Sequence, residues 1–473
     1  MSELLNRINE VLWGPWMLAF MLGSGLFLLV RMRFLPIRNL SYALKCVMGW
    51  DAETKARAAA ERGAQSAAGI SPLSSLTTEL AATIGTGNIV GVATAMVLGG
   101  PGALLWMVLA AFAGLSTKFA ESMLSVKYRI QKNDGTYAGG PMYTLLSGFP
   151  AKRAGKWLGM AFAVFAVLSS LGMGNMTQSN SVAVSFAETF GISQAKTGLI
   201  LTILVILVVL GGIGSISRIT LYMVPGMALF YVVGALIVIF FHLDGLPEGI
   251  GQIFRMAFSG RAAAGGAGGM AVLTMRDAMR WGVARGVFSN EAGLGAAGIT
   301  AAAADTDSPV RQGYISMTGV FLDTIVMCTL TGLVLACSGV LGMQEEGGIF
   351  LTGAALMIEA FATVFGKLGG YFVSIGIALF AFATIIAWEY QGECAFLFLV
   401  KKKKYALGYR FFYGLITFAG AVCMLETVWC FSDIMNALMA VPNLICVLAM
   451  SGTVCREMQA YEQKRKAAPK RRR

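Results

Sequence analysis

The sequence predicts an all-α, polytopic membrane protein with 11 transmembrane helices. Hydrophobic residues make up 56% of the chain and charged residues only 13%, which is too apolar for a soluble protein of 473 residues. Apolar runs long enough to span a bilayer recur from one end of the chain to the other. Lys and Arg concentrate in alternate loops between these runs, and this asymmetry places the N-terminus outside and the C-terminus in the cytoplasm.

The individual spans follow from the apolar runs, taken in order. Basic loops follow the first, third and ninth spans, and the chain ends in a basic tail, so these segments are assigned to the cytoplasm. An even number of spans would put one basic cluster outside. The predicted spans are residues 15–30, 76–98, 103–128, 157–185, 198–215, 220–241, part of 272–304, 313–341, 370–400, 411–425 and 429–450.

Polar and glycine residues interrupt the second span between Thr83 and Gly91. Glycine weakens a helix, and an unpaired backbone group in lipid costs several kcal/mol. One interpretation is a packing seam, with Gly87 and Gly91 as the small residues and Asn88 in an interhelical hydrogen bond. The other is a broken helix whose free N–H groups receive a carboxylate and whose free carbonyls coordinate a cation.

A second interruption, Phe288 to Gly298, lies five spans further on. Two glycine-interrupted segments at corresponding places in two halves of a chain indicate the binding site of a transporter. This repetition favours the site over the packing seam. At the second interruption, Phe288, Ser289 and Asn290 supply an aromatic wall beside polar atoms.

Two further polar groups lie at membrane depth. Gln178 belongs to a polar island between Asn175 and Ser181, which is either a hydrogen-bonded seam between helices or the wall of a cavity. Thr384 and Trp388 in the ninth span are four residues apart, so they share one helix face and the same two interpretations.

Charged residues within spans need partners. Lys118 and Glu121 are three residues apart and are predicted to pair with each other. For Asp323 and Glu291, a buried pair with Arg285 or Arg280 is the expectation, and a role as a coupling-ion or proton group is the alternative. The eight cysteines form no C-x-x-C pair and the chain has one histidine, which gives a metal site or a catalytic constellation little support and argues against an enzyme.

Several of these motifs together resemble a known family. Val287 to Gly293 (Val-Phe-Ser-Asn-Glu-Ala-Gly) is its most specific stretch, and Gly139–Tyr143, Gly174–Met176 with Gln178, and Pro309–Gly313 match as well. The chain is similar to the alanine or glycine:cation symporters of bacteria and archaea, the sodium:alanine symporter family. The resemblance runs from Thr83 to the last span.

The resemblance implies a leucine-transporter-type fold, a 5+5 inverted repeat with two broken helices, preceded by one extra N-terminal helix. Residues 1–62 would then hold the extra helix and a basic cytoplasmic loop. Residues 63–455 would form the ten-helix core, with repeat one at about 72–242 and repeat two at about 270–451, and residues 456–473 would form a basic cytoplasmic tail. The family also implies the prokaryotic cytoplasmic membrane.

The function implied by the resemblance is Na⁺-coupled uptake of a small neutral amino acid, alanine or glycine, by alternating access. No cofactor, nucleic acid or obligate protein partner is implied. A small set of residues would line the amino-acid pocket: Thr86, Gly87, Asn88, Gln178, Phe288, Ser289, Thr384 and Trp388. The carbonyls of Ala81 and Ile84 and the hydroxyl of Thr384 would hold Na⁺.

The sequence departs from the family's pattern at several places, none of which removes a pocket residue. The departures are Leu105, Val108, Gly298, Ala301, Glu389 and Gln391. Glu389, beside Trp388, leaves the substrate preference and the coupling ion open. The alternative function is a proton-coupled amino-acid transporter of the same fold, with Asp323 or Glu291 as the proton carrier. A channel is a further alternative, which saturable uptake with counterflow would exclude.

Overall fold

The computed structural model describes residues 2–51, 69–133, 135–258, 262–264, 271–273, 275–344 and 348–467. These residues are mostly helical, as the sequence predicts. Two short antiparallel pairs of strands interrupt the helices: Ile130–Gln131 with Tyr137–Ala138, and Ala262–Ala264 with Ala271–Leu273. The predicted domain boundary at residue 62 lies outside the described residues.

In the first half of the chain, one long helical segment runs unbroken through the position of a predicted span. Helix Lys152–Leu171 continues through a π-helical turn, Gly172–Met176, into Thr177–Phe190. The other helices of this half are Ser2–Leu12, Pro15–Arg31, Leu35–Arg38, Leu40–Val47, Pro72–Thr83, Val90–Leu98, Ala103–Lys127, Pro141–Gly148, Gln194–Val209, Gly212–Phe241 and Leu246–Phe258.

The second half has a similar layout. Helix Pro309–Val320 continues through a π-helical segment, Phe321–Cys328, into Thr329–Cys337. The other helices of this half are Met275–Asn290, Ala296–Ala301, Gly353–Phe365, Lys367–Val400, Ala406–Val422, Leu425–Ala449 and Ser451–Ala467.

Within the described residues, six helical segments are long and apolar enough to cross a membrane. They are Ala103–Lys127, Lys152–Phe190, Gly212–Phe241, Pro309–Cys337, Lys367–Val400 and Val428–Ala449. Three shorter helices are also apolar: Pro15–Arg31, Gln194–Val209 and Gly353–Phe365. The segments at the two predicted interruptions are each divided into shorter helices.

Polar and apolar side chains are distributed as a lipid environment requires. Large apolar residues such as Leu229 and Phe240 lie exposed on the outer face of helix Gly212–Phe241, whereas Asn88, Gln178 and Asp323 are fully buried. A soluble protein would have the opposite arrangement. The polar interior is therefore concentrated between the helices, where the predicted site lies.

Two long helices pack against the interrupted segments. Helix Ala103–Lys127 packs against both Met275–Asn290 and Pro309–Val320. Helix Lys367–Val400 packs against Pro72–Thr83 on one side and Lys152–Leu171 on another. This arrangement brings the first interruption against the end of the second.

Three boundaries differ from the sequence predictions. Helix Gly212–Phe241 starts eight residues before the predicted span at 220, because the turn at residues 210–211 comes earlier. The predicted glycine-rich segment after residue 341 contains the helix Gly353–Phe365. Much of the predicted basic tail, up to Ala467, belongs to a helix that begins at Ser451.

Candidate functional site

The helix that begins at Pro72 ends at Thr83, and regular α-helix resumes only at Val90. Ile84 leaves the helical conformation (φ −75°, ψ 82°), and Thr86–Asn88 form one 3₁₀ turn. Residues 83–90 are all buried. The helix is therefore interrupted at its glycines and its asparagine. The interrupted backbone lies inside the protein, where other polar groups form hydrogen bonds with it.

Two side-chain amides cap the N–H groups that the break releases. The Gly85 N–H donates to Asn88 Oδ1 (3.0 Å), and the Thr86 N–H donates to Gln178 Oε1 (3.1 Å). The Gln178 amide in turn donates to the Met173 carbonyl (3.0 Å) within the π-helical turn. The predicted donors for a carboxylate are thus present, and neutral amide oxygens occupy them in this conformation.

Of the two glycines in the predicted packing seam, Gly87 and Gly91, only one lies in a close contact. A Cβ on Gly87 would lie 3.3 Å from the Phe288 ring and 3.4 Å from Ser289 Cα, so the second interruption packs tightly here. A Cβ on Gly91 would have no neighbour within 4 Å. Close packing therefore explains Gly87, and it does not explain Gly91.

At the second interruption, helix Met275–Asn290 ends, and the chain turns sharply before helix Ala296–Ala301 begins. Gly293 and Gly295 adopt φ values of +92° and +83°, and Glu291 adopts +58°. The left-handed region is strained for a residue with a Cβ and persists where the surroundings impose it, often at functional sites. Glu291 is held there by a hydrogen bond from the Trp388 indole (2.7 Å).

Thr384 joins the first interruption to helix Lys367–Val400. Its hydroxyl donates to the Ala81 carbonyl (2.9 Å) and lies within 3.1 Å of the Phe380 carbonyl. A Cβ on Gly85 would lie only 2.6 Å from the same hydroxyl. Carbonyl and hydroxyl oxygens are the ligands that a hard cation prefers, so this donor set suits Na⁺.

The structure brings most of the predicted residues to one place. Gln178, Phe288, Ser289 and Thr384 all approach the segment between Gly85 and Asn88. Trp388 lies one turn along from Thr384, against the position of Gly174, where a Cβ would lie 2.4 Å from the Trp388 side chain. Trp388 therefore faces Glu291 and the π-helical turn.

Asp323 is a central residue whose hydrogen-bond partners the sequence did not predict. Its carboxylate accepts hydrogen bonds from Asn88 Nδ2 (2.8 Å), Ser289 Oγ (2.9 Å) and Thr324 Oγ1 (2.7 Å). It thus connects the first interruption to the second. The signal in the sequence was an aspartate inside an apolar span, but two of its three partners, Asn88 and Ser289, are distant in sequence.

The expected pairing of Asp323 or Glu291 with Arg285 or Arg280 is wrong. Arg285 instead forms a two-pronged ion pair with Asp433 (3.0 and 3.2 Å). A guanidinium prefers a carboxylate that it can meet with two parallel hydrogen bonds, and helix Leu425–Ala449 supplies one.

The expected direct Lys118–Glu121 ion pair is not formed in the part of the chain that the structure describes, and both side chains instead contact the second interruption. Lys118 Nζ donates to the Asn290 carbonyl at the end of the helix (2.9 Å). Glu121 Oε2 accepts from the Gly293 N–H (3.2 Å) and from Asn443 Nδ2 (2.8 Å). The two side chains therefore cap backbone groups that the turn leaves free.

The known proteins that this chain resembles point to one family. A sequence model of the sodium:alanine symporter family matches residues 1–473. The sodium/alanine symporter AgcS of Methanococcus maripaludis is 45% identical over 464 residues, which cover 98% of each chain. The probable sodium/glutamine symporter GlnT of Bacillus subtilis is 34% identical and covers 99% of this chain and 93% of its own.

Two further similarities bear on the coupling ion and the fold. The putative sodium/proton-dependent alanine carrier protein YrbD of Bacillus subtilis is 33% identical, covering 98% of this chain and 93% of its own. The crystal structure of MhsT in complex with L-phenylalanine superposes with a TM-score of 0.60, covering 84% of this chain and 93% of that one. Its sequence is only 13% identical, so that likeness concerns the fold alone.

Proposed function

Since the chain belongs to the sodium:alanine symporter family and is a multi-pass, Na⁺-coupled amino-acid symporter, we propose that it carries alanine or glycine into the cell by alternating access. The interrupted backbone at Gly85–Asn88, which places capped N–H donors beside a carbonyl–hydroxyl pair, is the observation that supports this proposal most directly. It offers one zwitterion and one hard cation complementary groups within a single segment.

In this proposal the molecule has eleven spans, with one extra N-terminal helix before a leucine-transporter-type 5+5 inverted repeat. The two repeats cover about residues 72–242 and 270–451 of a core at 63–455, between an N-terminal segment at 1–62 and a tail at 456–473. The interrupted segments, Pro72–Leu98 and Met275–Ala301, open the two halves, which supports the repeat. The proposed location is the prokaryotic cytoplasmic membrane, with the N-terminus outside and the C-terminus in the cytoplasm.

The substrate carboxylate binds the N–H groups of Gly85 and Thr86, where it replaces the amide oxygens of Asn88 and Gln178. The exchange strengthens these hydrogen bonds, since bonds to a charged acceptor are about twice as strong as neutral ones. Phe288 and Trp388 enclose the small side chain. The remaining proposed pocket residues are Gly87, Ser289 and Thr384.

Alanine or glycine fits better than a larger amino acid. Phe288 approaches the position of Gly87 so closely that even a methyl group there would be in tight contact. A pocket with such walls rejects longer side chains by steric overlap. Among the relatives named above, the sodium/alanine symporter is 45% identical and the probable glutamine symporter 34%, which also favours alanine.

Na⁺ binds between the Ala81 and Ile84 carbonyls and the Thr384 hydroxyl. Thr384 then turns its oxygen lone pairs toward the ion and gives up its hydrogen bond to Ala81. Ion and amino acid together stabilise the closed bundle, and a rocking motion of the two broken helices opens the site to the other side of the membrane.

Uptake into proteoliposomes tests this function, with Na⁺ and pH gradients imposed separately. We expect an inward Na⁺ gradient alone to drive concentrative, saturable alanine uptake. Uptake that follows the pH gradient and ignores Na⁺ would contradict Na⁺ coupling. Uptake that does not saturate and shows no counterflow would identify a channel instead.

Proton coupling is the second candidate, and one observation favours it. Among the described residues, the buried carboxylate of Asp323 accepts hydrogen bonds from neutral groups only. A buried carboxylate that receives no hydrogen bond from a cation is stabilised by a proton or a bound cation. The carrier would be Asp323 or Glu291: Asp323→Asn would abolish uptake driven by a pH gradient in the first case, and Glu291→Gln in the second.

Substitution of the two capping amides tests the pocket itself. Asn88→Ala and Gln178→Ala should each raise the alanine concentration for half-maximal uptake about tenfold, equivalent to about 1.4 kcal/mol, because the interrupted backbone loses the side-chain amide that holds it in place before the substrate arrives. Asn180→Ala is the matched control, because Asn180 is a buried amide in the same helix that donates to the Gly420 and Cys423 carbonyls. It should lower thermal stability and leave that concentration unchanged. Normal half-saturation in both pocket variants would refute the assignment.

A further inference from the structure

Two glutamates, Glu389 and Glu393, lie one turn apart on helix Lys367–Val400 and are buried, with 1% and 8% of their surface exposed. Residues four apart share one face of a helix. Gly392 lies on that face, and a Cβ added to it would overlap the Tyr409 hydroxyl and Ser170 Oγ. The two carboxyl groups therefore lie in a tightly packed interface with neighbouring helices.

A single guanidinium serves these two carboxyl groups. Arg410 binds Glu393 through two parallel hydrogen bonds, from Nε to Oε2 (2.5 Å) and from Nη2 to Oε1 (3.0 Å). Its third nitrogen, Nη1, donates to the Leu210 carbonyl (3.0 Å). All three nitrogens of Arg410 are thus engaged with groups other than Glu389.

Glu389 receives no hydrogen bond from a cation in the part of the chain that the structure describes. Its Oε1 is buried and makes no hydrogen bond there, and its carboxyl group lies within hydrogen-bonding reach of Glu393. An ionised Glu389 would put a second negative charge beside Glu393 in the protein interior, which is costly. One proton shared between the two carboxyl groups removes that charge and supplies the hydrogen for a bond between them.

The other groups around Glu389 supply no further positive charge. The titratable or charged groups that face it are Glu393, Cys394, Tyr409, Arg410 and Tyr413. From helix Lys152–Leu171 the facing group is Ser170, which bonds the Tyr409 hydroxyl (2.8 Å) and does not titrate. Lys132 acts on Cys394 and is not among the groups that act on Glu389. A metal ion would find too few free oxygens here, so a proton is the ligand that suits the pair.

The pair lies toward the proposed cytoplasmic side of the molecule. The side chains of Arg410 and Glu393 are 19% and 10% exposed. Arg410 follows closely on the basic segment Lys401–Lys404, which the charge pattern assigns to the cytoplasm. In the proposed topology, the pair therefore exchanges protons with the cytoplasm.

On its other side the pair adjoins the π-helical turn whose carbonyl holds the Gln178 amide. Tyr413 bonds to this turn twice, through its hydroxyl to the Gly174 carbonyl (3.3 Å) and through its carbonyl to Asn175 Nδ2 (2.8 Å). Tyr413 belongs to the helix that also supplies the guanidinium. Movement of that helix toward an ionised carboxyl pair would therefore reach the amide that caps the first interruption.

We propose that Glu389 and Glu393 form a proton-binding site, occupied by one shared proton in this conformation, through which the cytoplasmic pH controls uptake. The control of uptake rests on the proposed function, whereas the proton site does not. Loss of the proton draws Arg410 from Glu393 toward Glu389 and weakens the alanine pocket. An alkaline cytoplasm thus slows uptake, and an acidic one supports it. Glu389 departs from the family's pattern, so the family resemblance does not imply this site.

Infrared difference spectroscopy tests the proton site without transport, on the full chain in nanodiscs. The pH is raised from about 6 to about 9, a range in which exposed carboxyl groups are already ionised. We expect the carbonyl band of protonated carboxyl groups to weaken. Glu389→Gln should remove the contribution of one carboxyl group from that change. Glu393→Gln should do the same, because Arg410 then pairs with an ionised Glu389.

Glu457→Gln is the matched control for the spectra. It removes an exposed carboxyl group that pairs with Lys127 on the same side of the protein in the proposed topology. The infrared change should equal that of the unmodified protein, because an exposed pair contributes little. A band change that Glu389→Gln leaves intact would overturn the proposal.

Alanine uptake into right-side-out proteoliposomes tests the control by pH. The external pH and the Na⁺ gradient are held constant while the internal pH is varied. We expect the initial rate to fall about fivefold between an internal pH of about 6 and about 9, the range in which buried glutamates titrate. Glu389→Gln should keep the higher rate throughout, and Glu457→Gln should follow the unmodified protein. A pH profile that is the same with and without Glu389 would contradict the control.

The variants and the wider function fail in different ways. If Glu389→Gln does not fold, an unchanged infrared band or pH profile in Glu393→Gln refutes the proposal instead. If the unmodified protein takes up no alanine with Na⁺ while Glu389→Gln loses its share of the band, the proposed function fails and the proton site is supported. If uptake follows Na⁺ but ignores the internal pH, the proposed function holds and the control by pH is refuted.

Discussion

Gly85 is the residue at which the smallest chemical change should have the largest effect. A Cβ there would lie 2.6 Å from Thr384 Oγ1 and 3.1 Å from Gln178 Oε1. Gly85→Ala should therefore displace both side chains. We expect the Na⁺ and alanine concentrations for half-maximal uptake each to rise about tenfold, or about 1.4 kcal/mol, measured in proteoliposomes.

Gly91→Ala is the matched control in the same segment. Its added methyl group meets no atom within 4 Å, and it lies in the helix Val90–Leu98, where alanine is the better helix former. Uptake should be unchanged, and thermal stability should be equal or slightly higher. Similar losses in the two variants would mean that general packing, rather than the site, accounts for the effect at Gly85.

Thr384 is proposed to act on the ion through its hydroxyl. Thr384→Ala removes that oxygen, and we expect the Na⁺ concentration for half-maximal alanine uptake to rise roughly five- to tenfold, in line with the loss of one polar contact of about 1–1.5 kcal/mol. Thr384→Ser keeps the oxygen and should restore a value near that of the unmodified protein. An unaltered Na⁺ dependence in Thr384→Ala would remove this residue from the ion site.

At the residue scale, the sequence predicted which polar residues meet at the interruption better than it predicted their hydrogen bonds. Asn88, Gln178 and Thr384 stand out as polar side chains in apolar spans, and each contacts the interrupted backbone. Apart from the adjacent Thr324, the partners of Asp323 and Arg285 could not be predicted, because they lie 34 to 235 residues away in sequence. Helix packing, which a single sequence does not reveal, decides such contacts.

The π-helical turn Gly172–Met176 shapes the site at the scale of secondary structure. It inserts an extra residue beside Gln178 and leaves the Met173 carbonyl free to accept the Gln178 amide. Its Gly174 faces Trp388, where an added Cβ would lie 2.4 Å from the Trp388 Cβ. The turn thus positions a glutamine and a tryptophan together.

Gly174→Ala should push Trp388 away from Glu291 without touching the proposed Na⁺ ligands. We expect alanine affinity to fall about tenfold, roughly 1.4 kcal/mol, while the Na⁺ dependence at saturating alanine stays the same. Isotope-based binding assays at several Na⁺ concentrations would separate the two. A variant that loses Na⁺ affinity instead would place the turn in the ion site.

The two interruptions were the elements easiest to predict. Glycine runs in apolar spans weaken a helix at a known place, and the structure breaks at both. The π-helical segments had no equivalent signal, because a π-helical turn differs from the α-helix only in hydrogen-bond register. The start of helix Gly212–Phe241 was also missed, since apolar residues continue across the turn that precedes it.

At the scale of the whole molecule, the C-terminal helix Ser451–Ala467 contacts both an N-terminal segment and the second half of the chain. Tyr461 and Tyr42 share a hydrogen bond (2.7 Å), and the Tyr314 hydroxyl donates to Glu462 (2.9 Å). Burial and the bond to Tyr461 raise the pKa of the Tyr42 hydroxyl, which therefore stays neutral at physiological pH. The helix thus joins an N-terminal segment to helix Pro309–Val320.

Truncation after Met450 should therefore destabilise the core. Loss of about 2 kcal/mol of contacts would lower the Tm by roughly 3–6 °C, measured by a thermal-shift assay in detergent. Truncation after Ala467 is the control and should leave the Tm unchanged. An equal Tm for both truncations would show that the C-terminal helix contributes nothing to stability.

The eight residues from Ala81 to Asn88 serve the proposed ion and amino-acid sites together, and this has a thermodynamic consequence. Ordering that segment for one ligand reduces the conformational entropy left to be lost when the other arrives. By linkage, the factor by which Na⁺ tightens alanine binding equals the factor by which alanine tightens Na⁺ binding. Two equilibrium titrations, each run with and without the other ligand, should return the same number.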